Sequence, residues 1–148
     1  MVAIVAMGTV SAFELSNFLP IDLGSPGSSA DQNVTIDGVT FHIPGGYKEN
    51  SSFAVNGDVE DYSSFKTTTY ERGYMDGSKF INIMVIEYEG IEPDENLINF
   101  MDGSSKNING VSGYLYNDGI AYTFTYAIGN KVISVQTTDE NIIGDIIA

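Results

Sequence analysis

Few side chains in this sequence are of a type and spacing that could do acid–base or metal chemistry. His42 is the only histidine, and the chain has no cysteine, no Gly-x-Ser-x-Gly elbow and no Gly-Lys-Ser/Thr phosphate loop. A lone histidine at a predicted strand end, with no cysteine or serine elbow beside it, is typical of a hydrogen-bonded structural imidazole. We therefore expect no catalytic residue, no metal ligand and no cofactor, and predict that the protein is not an enzyme.

Two groups of acidic residues keep other chemistries open. Glu87 and Glu89 are two positions apart near the end of a predicted strand, so both would lie on one face, an arrangement that a pair of glycosidase carboxylates could use. This pair supports an alternative function, a secreted envelope hydrolase with paired carboxylates. Asp58, Glu60 and Asp61 carry the oxygen ligands that Ca²⁺ prefers, but no Asp-x-Asp-x-Asp-Gly loop surrounds them. An acidic loop is the favoured interpretation of that segment.

Two Asn-x-Ser/Thr triplets are candidate glycosylation sites, at Asn33 and Asn50. Attachment of a glycan requires that the asparagine lie on the surface of a protein that has crossed a membrane. The triplets therefore agree with export.

The charge of the chain excludes some classes of partner. Twenty acidic residues against six basic ones give a net charge of −14, which repels nucleic acid and anionic lipid surfaces. The absence of cysteine excludes thiol catalysis and a disulfide scaffold. Nine tyrosines without a tryptophan could supply a binding face, although tyrosine is also favoured in sheets.

The first thirty residues predict export. Residues 2–12 are mostly apolar and end in Val10-Ser11-Ala12, a small-x-small pattern of the kind that signal peptidases cut. A Ser/Gly/Pro tract follows, which is typical of a flexible tether. We predict a signal peptide remnant or membrane anchor over residues 1–13, a linker over 14–32 and one domain over 33–148. A buried core helix or an ordered N-terminal strand is the alternative for the apolar run.

Tight-turn dipeptides divide the rest of the chain into short strands. Such turns need positive φ, which Gly, Asn and Asp tolerate best. The turn dipeptides are Asp37-Gly38, Asp76-Gly77, Asn109-Gly110, Asp118-Gly119 and Gly129-Asn130. Between them, runs rich in Tyr, Phe, Ile, Val and Thr predict strands over residues 34–36, 39–43, 65–74, 79–88, 104–108, 111–116, 120–128 and 131–137.

The strand patterns also predict which faces are buried. Residues 120–128 alternate bulky and small side chains, so the bulky face should form the core, whereas residues 79–88 carry apolar residues on both faces and need a cover on each. Two short helices are available. One begins near Pro93 and ends before Gly103, and the other begins at a capping box formed by Thr137 and Glu140. We predict that the second helix covers the face of residues 79–88 opposite the main core.

These elements predict an α+β fold in which a curved antiparallel sheet, a meander of hairpins, carries two short helices packed on it. A pure β-sandwich is the alternative.

A resemblance agrees with that fold class. It is carried by residues 41–47 (Phe-His-Ile-Pro-Gly-Gly-Tyr), residues 108–114 (Ile-Asn-Gly-Val-Ser-Gly-Tyr), residues 122–126 and the isoleucine-rich end of the chain. The chain resembles small, uncharacterised secreted or surface domains of methanogenic archaea, whose element order is similar to PsbP-like α+β domains. The resemblance covers residues 34–147 and implies a fold but no activity.

Together these features lead us to expect an exported, cell-surface-tethered, non-enzymatic domain. We expect its partner to be a protein or a glycan of the cell envelope, with no nucleic acid bound and contact with the membrane only through the N-terminal segment.

Overall fold

The computed structural model describes residues 30–148, so the predicted signal peptide remnant (1–13) and nearly all of the predicted linker (14–32) lie outside the described residues. The described part is mostly antiparallel sheet with two short helices, as the sequence predicts. Its strands are β1 (Gln32–Ile36), β2 (Val39–Ile43), β3 (Lys48–Tyr62), β4 (Phe65–Asp76), β5 (Lys79–Glu89), β6 (Ser104–Ile108), β7 (Val111–Asn117), β8 (Tyr122–Ile128) and β9 (Lys131–Thr137). The helices are α1 (Glu95–Ile98) and α2 (Ile143–Ile146), with a 3₁₀ turn at Glu140–Ile142 before α2.

Seven of these strands form one open sheet in the order β3-β4-β5-β9-β8-β7-β6, and β1 and β2 form a separate hairpin. Because β5 lies beside β9, the chain leaves the centre of the sheet after β5, crosses it through α1 and returns strand by strand from the β6 edge.

Two of the predicted turns are confirmed by their backbone angles. In the β1–β2 turn, Asp37 and Gly38 have φ of 46° and 78°, and in the β6–β7 turn Asn109 and Gly110 have φ of 52° and 84°. Two consecutive residues with positive φ are typical of the type I′ turn, whose twist matches that of the adjoining strands.

The sequence did not predict β3, the longest strand. Its apolar residues are sparse and it lies at an edge of the sheet, where one side of the backbone needs no ladder partner. Its register with β4 shifts between Asn50 and Val55 and again between Asn56 and Asp58, which breaks the alternation on which strand prediction depends.

Both faces of the seven-stranded sheet carry a cluster of buried apolar side chains. The first face carries Ile81, Ile83 and Val85 of β5, which join the largest cluster of buried side chains together with the β1–β2 hairpin and α2. The second face carries a smaller apolar cluster, packed against side chains of α1 and its flanks. Its buried members are Met84, Ile86, Tyr88 and Val132.

The predicted position of the C-terminal helix is therefore wrong. Ile143 and Ile146 of α2 are fully buried in the same cluster as Phe124 and Tyr126, the bulky residues of β8. Leu97 and Ile98, from the other helix, pack on the second face of β5 instead. Alternation shows that a face needs a cover but does not say which segment supplies it.

The start of that C-terminal segment also differs from the prediction. Thr137 is the last residue of β9, and the side chain of Asp139 caps the following turn by accepting from the Asn141 amide. Within residues 30–148, no helix is both long enough and apolar enough to cross a bilayer.

Candidate functional site

The second face of the sheet is apolar at one end and polar at the other. Residues that pair across neighbouring strands point to the same face of a sheet, and the pairing of five strands brings the polar residues together at this end. We call this group the polar face: Glu71 of β4, Asn82 of β5, Ser134 and Gln136 of β9, Thr123 and Thr125 of β8, and Tyr114 and Tyr116 of β7.

Four members of the polar face are buried although they are polar. Asn82, Thr123, Thr125 and Ser134 are between 3% and 7% exposed. Burying a hydroxyl or an amide costs free energy unless it is hydrogen-bonded, so a core that served stability alone would place apolar side chains at these positions.

The Glu71 carboxyl is the main charged group of the polar face. Its Oε1 accepts a hydrogen bond of 2.6 Å from Asn82 Nδ2, and the Asn82 Oδ1 is buried without a donor. Burial raises the pKa of Glu71 above its ordinary value, and the hydrogen bond from Asn82 partly opposes that shift.

A shallow cleft adjoins these groups. It is a shallow depression open to solvent, with the segment after α1 on one side and strands β7 and β8 on the other, and it encloses no room for a water-sized sphere. Small-molecule sites usually enclose about 300–1,000 Å³. The cleft is therefore an open contact surface rather than an enclosed pocket. Its lining residues are Ile98, Asn99, Met101, Gly103, Tyr114, Tyr116, Thr123 and Thr125.

The basic residues that form ion pairs contact acidic residues other than Glu71. Four of the six contact carboxylates outside the polar face, and the pairs are Lys66–Glu89, Arg72–Glu49, Lys106–Glu140 and Lys131–Asp37, with Glu87 also near Lys131. The other two, Lys48 and Lys79, are paired by register with Met75 and Asp76. No ion pair to Glu71 is found in the described part of the chain.

Replacing Glu71 by glutamine should change how stability depends on pH. A carboxyl whose pKa is raised in the folded state binds its proton more tightly there, so the free energy of unfolding falls as pH rises from the ordinary value of 4.5 through the raised value. We expect Glu71→Gln to lose less stability than the wild type between about pH 4 and about pH 7, measured by thermal unfolding. Glu89→Gln, which removes an exposed carboxylate paired with Lys66, is the control. Equal pH profiles for Glu71→Gln and the wild type would contradict the desolvation of Glu71.

His42 lies on the outer face of the β1–β2 hairpin, away from the polar face. Its Nδ1 is 2.8 Å from Oδ1 of Asn33, the residue opposite it, and its Nε2 is 3.4 Å from Oδ2 of Asp31. The amide of Gly45 and the His42 ring both lower the pKa of Asp31. The imidazole thus links the start of β1 to the end of β2.

The two candidate glycosylation sites lie in different settings. Asn33 is exposed in a regular strand, with its side chain against His42. Asn50 lies at the first register shift of β3, where its Oδ1 accepts from the Ser52 amide and its Nδ2 is 3.7 Å from the Met75 sulfur.

Glu87 and Glu89, the two carboxylates of the hydrolase alternative, each lie near a different lysine. Glu89 is 3.5 Å from Lys66 Nζ, and Glu87 is 3.9 Å from Lys131 Nζ with Asn130 Nδ2 at 3.4 Å from its other oxygen. Both glutamates lie at the end of β5, on the face opposite the polar face.

The predicted acidic loop is wrong, because Asp58, Glu60 and Asp61 lie within β3. Alternation places Asp61 on the opposite face from the other two. Glu60 accepts a hydrogen bond from the Tyr62 hydroxyl, which raises the pKa of Tyr62 to about 12. Among residues 30–148, no group of three or more His, Cys, Asp or Glu side chains is arranged to hold a metal ion.

Sequence reasoning missed Glu71 and Asn82. The sequence does contain one signal of a polar site in this strand: Asn82 is the one polar residue in the otherwise apolar run from Phe80 to Ile86. The sequence predicts that Thr123 and Thr125 belong to the small face of β8, but it does not show that they share a polar surface with β9 and β5. That surface exists only through the pairing of strands distant in sequence.

Comparison of the chain with protein families, with curated proteins and with solved structures finds no match.

Proposed function

We propose that this chain is an exported, cell-surface-tethered and non-enzymatic domain that binds a protein or an envelope glycan, and that the polar face is its binding surface. One observation carries the proposal: a sheet face that is covered and apolar at one end presents contiguous polar side chains at the other. Ligand sites place a small number of polar groups among apolar walls, where they fix the orientation of the ligand.

The side chains of the polar face suit a polymer with hydroxyl and amide groups. Tyr114 and Tyr116 offer partly exposed rigid rings and Gln136 offers a partly exposed amide, while Thr123 and Thr125 are buried beside them. The row from Tyr116 through Thr123 and Gln136 to Asn82 crosses four strands, which is roughly 14 Å at the usual strand spacing. A row of that length suits several units of an extended ligand.

The sequence supports the proposed location at the cell surface. The apolar run at residues 2–12, the Ser/Gly/Pro tract after it and the two glycosylation triplets agree with transport across a membrane. The resemblance to surface domains of methanogenic archaea points to the same place. We also propose that the sheet is curved, since twisted antiparallel sheets coil around the segments that cover them.

The test is binding of the purified full-length chain to cell envelopes isolated from the source organism. We expect saturable binding that falls by about tenfold or more in Tyr116→Ala and Gln136→Ala, since each removes a partly exposed side chain of the proposed interface. Thr40→Ala, on the exposed outer side of the β1–β2 hairpin, should bind as the wild type does. Protease treatment of the envelopes abolishes binding to a protein partner, and periodate oxidation abolishes binding to a glycan.

Two results would overturn the proposal. One is the absence of binding to intact envelopes. The other is unchanged affinity in Tyr116→Ala and Gln136→Ala alongside weakened binding in Thr40→Ala, because it would move the binding surface to the hairpin.

A further inference from the structure

Among the ion pairs within residues 30–148, that of Lys131 with Asp37 is the least exposed to solvent. The side chain of Lys131 is 22% exposed and that of Asp37 is 18% exposed. Asp37 lies in the β1–β2 turn and Lys131 begins β9, so the pair connects the separate hairpin to the seven-stranded sheet. The contact joins two residues 94 positions apart in the sequence.

The Lys131 amine is placed against the carboxyl group of Asp37. Its Nζ donates a hydrogen bond to the Asp37 backbone carbonyl and lies 2.7 Å from Oδ2, yet the buried Oδ2 receives no hydrogen bond. Because a carbon–oxygen bond is about 1.2 Å long, Nζ is within about 4 Å of Cγ. Atoms poised to react are usually about 3–3.5 Å apart. A small rotation of either side chain brings the amine to that distance from the carboxyl carbon.

Glu87 adds a second carboxyl group beside the same amine. Its Oε2 is 3.9 Å from Lys131 Nζ, and its Oε1 is 3.4 Å from Asn130 Nδ2. Asn130 Nδ2 also donates to the Tyr88 carbonyl oxygen at 2.9 Å, which ties the turn before β9 to the end of β5. A carboxylate that reaches an amine through a small shift or one water can take up a proton and return it.

The other lysine–carboxylate pairs lack this arrangement. In the pairs Lys66–Glu89 and Lys106–Glu140, every side chain is at least 34% exposed. Exposed pairs of this kind are held together weakly. Among the lysines of the described part of the chain, Lys131 alone has carboxylates of two residues within 4 Å. It therefore has both an acyl group and a proton carrier beside its amine.

We infer that Lys131 and Asp37 form an intramolecular amide bond, with Glu87 carrying the protons. Nζ gives a proton to Glu87, and the lone pair that this frees attacks Cγ of Asp37. The nitrogen then loses a second proton, the bond from Cγ to one carboxyl oxygen breaks, and that oxygen leaves with both protons as water. An ammonium and a carboxylate thus become one amide and one water, with no oxidant or reductant. The reaction occurs once in each chain, so it is a self-modification and not an enzymatic turnover.

The amide bond would fix the β1–β2 hairpin to the larger sheet. The hairpin is a sheet of its own and packs on the larger sheet through the main cluster of buried side chains. A covalent link that closes so long a loop stabilises the fold mainly by restricting the unfolded chain. We expect the thermal midpoint of the linked chain to be higher than that of an unlinked chain by about 10 °C or more.

Tryptic mapping of the full-length, folded chain tests the inference. Trypsin cleaves after lysine and arginine, which occupy positions 48, 66, 72, 79, 106 and 131. Cleavage therefore separates residue 37 from residue 131 unless the two are linked. We expect one branched peptide that joins the peptide ending at Lys48 to residues 107–148, uncut at Lys131. Its mass should be lower than the sum of the two peptides by one water molecule.

Four variants test the roles of the three residues. Lys131→Arg and Asp37→Gly should yield no branched peptide, and glycine at position 37 keeps the turn because it tolerates the positive φ found there. Glu87→Gln should slow the linking by about a hundredfold or more, measured during refolding from urea. Glu89→Gln, which changes a carboxylate of the same strand that is paired with Lys66, should link as fast as the wild type.

Several results would overturn the amide bond. One is a folded wild-type chain that yields only separate peptides, even if the peptide ending at Lys48 has lost one water, because a cyclic imide at Asp37-Gly38 gives that loss without a branch. Another is a branched peptide that persists in Asp37→Gly or that forms as fast in urea as in the folded chain. Equal rates in Glu87→Gln and Glu89→Gln would overturn the role of Glu87.

Discussion

Ile143→Ala is expected to lower the free energy of unfolding by about 2–5 kcal/mol, the usual cost of removing most of a large side chain from a packed core. Ile143 begins α2 and is fully buried, in the cluster that also holds Phe41 of β2 and Phe124 of β8. Four-residue helices have little stability of their own, so α2 depends on this packing. Denaturant unfolding of the wild type and the variant measures the difference.

The matched control is Ile120→Ala, because Ile120 is 58% exposed in the turn before β8. The same substitution there should change stability by no more than about 0.5 kcal/mol. A neutral Ile143→Ala, together with self-association through the last residues of the chain, would contradict the packing and make α2 an exposed partner-binding element.

Gly113→Ala is expected to cost about 3 kcal/mol, at the upper end of what overpacking usually costs. Gly113 lies in β7 beside β8, and a methyl group there would overlap the Thr125 carbonyl oxygen and lie 2.8 Å from Cζ of Phe124. Neither can give way easily, because one belongs to the backbone and the other is the ring of a fully buried side chain. Thermal unfolding should show a midpoint lower by roughly 10 °C.

Gly144→Ala is the matched control for this prediction. An added methyl group at Gly144 would lie 3.1 Å from Nδ2 of Asn109, the end of an exposed side chain that donates a hydrogen bond to the Gly144 carbonyl oxygen and can shift slightly towards solvent. Alanine also favours the helical backbone of α2 over glycine, so the net change should stay within about 1 kcal/mol. Equal destabilisation by both substitutions would show that the close approach of β7 to β8 is not what requires a glycine at position 113.

Much of the local structure was predictable from short stretches of sequence. The Asp37-Gly38 and Asn109-Gly110 dipeptides fix tight turns because few other residues tolerate two consecutive positive φ angles. Strands β2, β6 and β9 have the predicted bounds, since each is a short run of strand-favouring residues between turn signals. Strand β3 was not predictable in this way, because its register shifts remove the period of two.

The candidate site was much less predictable than the strands. Glu71 and Asn82 are eleven residues apart in sequence, and Ser134 and Thr125 are brought to the same face by strands that pair only after the chain has crossed the sheet. No local pattern marks such a group, because each strand contributes only one or two of its members.

The sequence by itself determined the type of fold, the turns and most strands, because these depend on the backbone preferences of neighbouring residues and on which face of each strand is apolar. The tertiary structure alone decided that β5 lies beside β9, that α1 rather than α2 covers the second face, and that the polar face is assembled. Those outcomes depend on contacts between segments far apart in the chain. Many arrangements satisfy the same local patterns, and the packing of the whole core selects one of them.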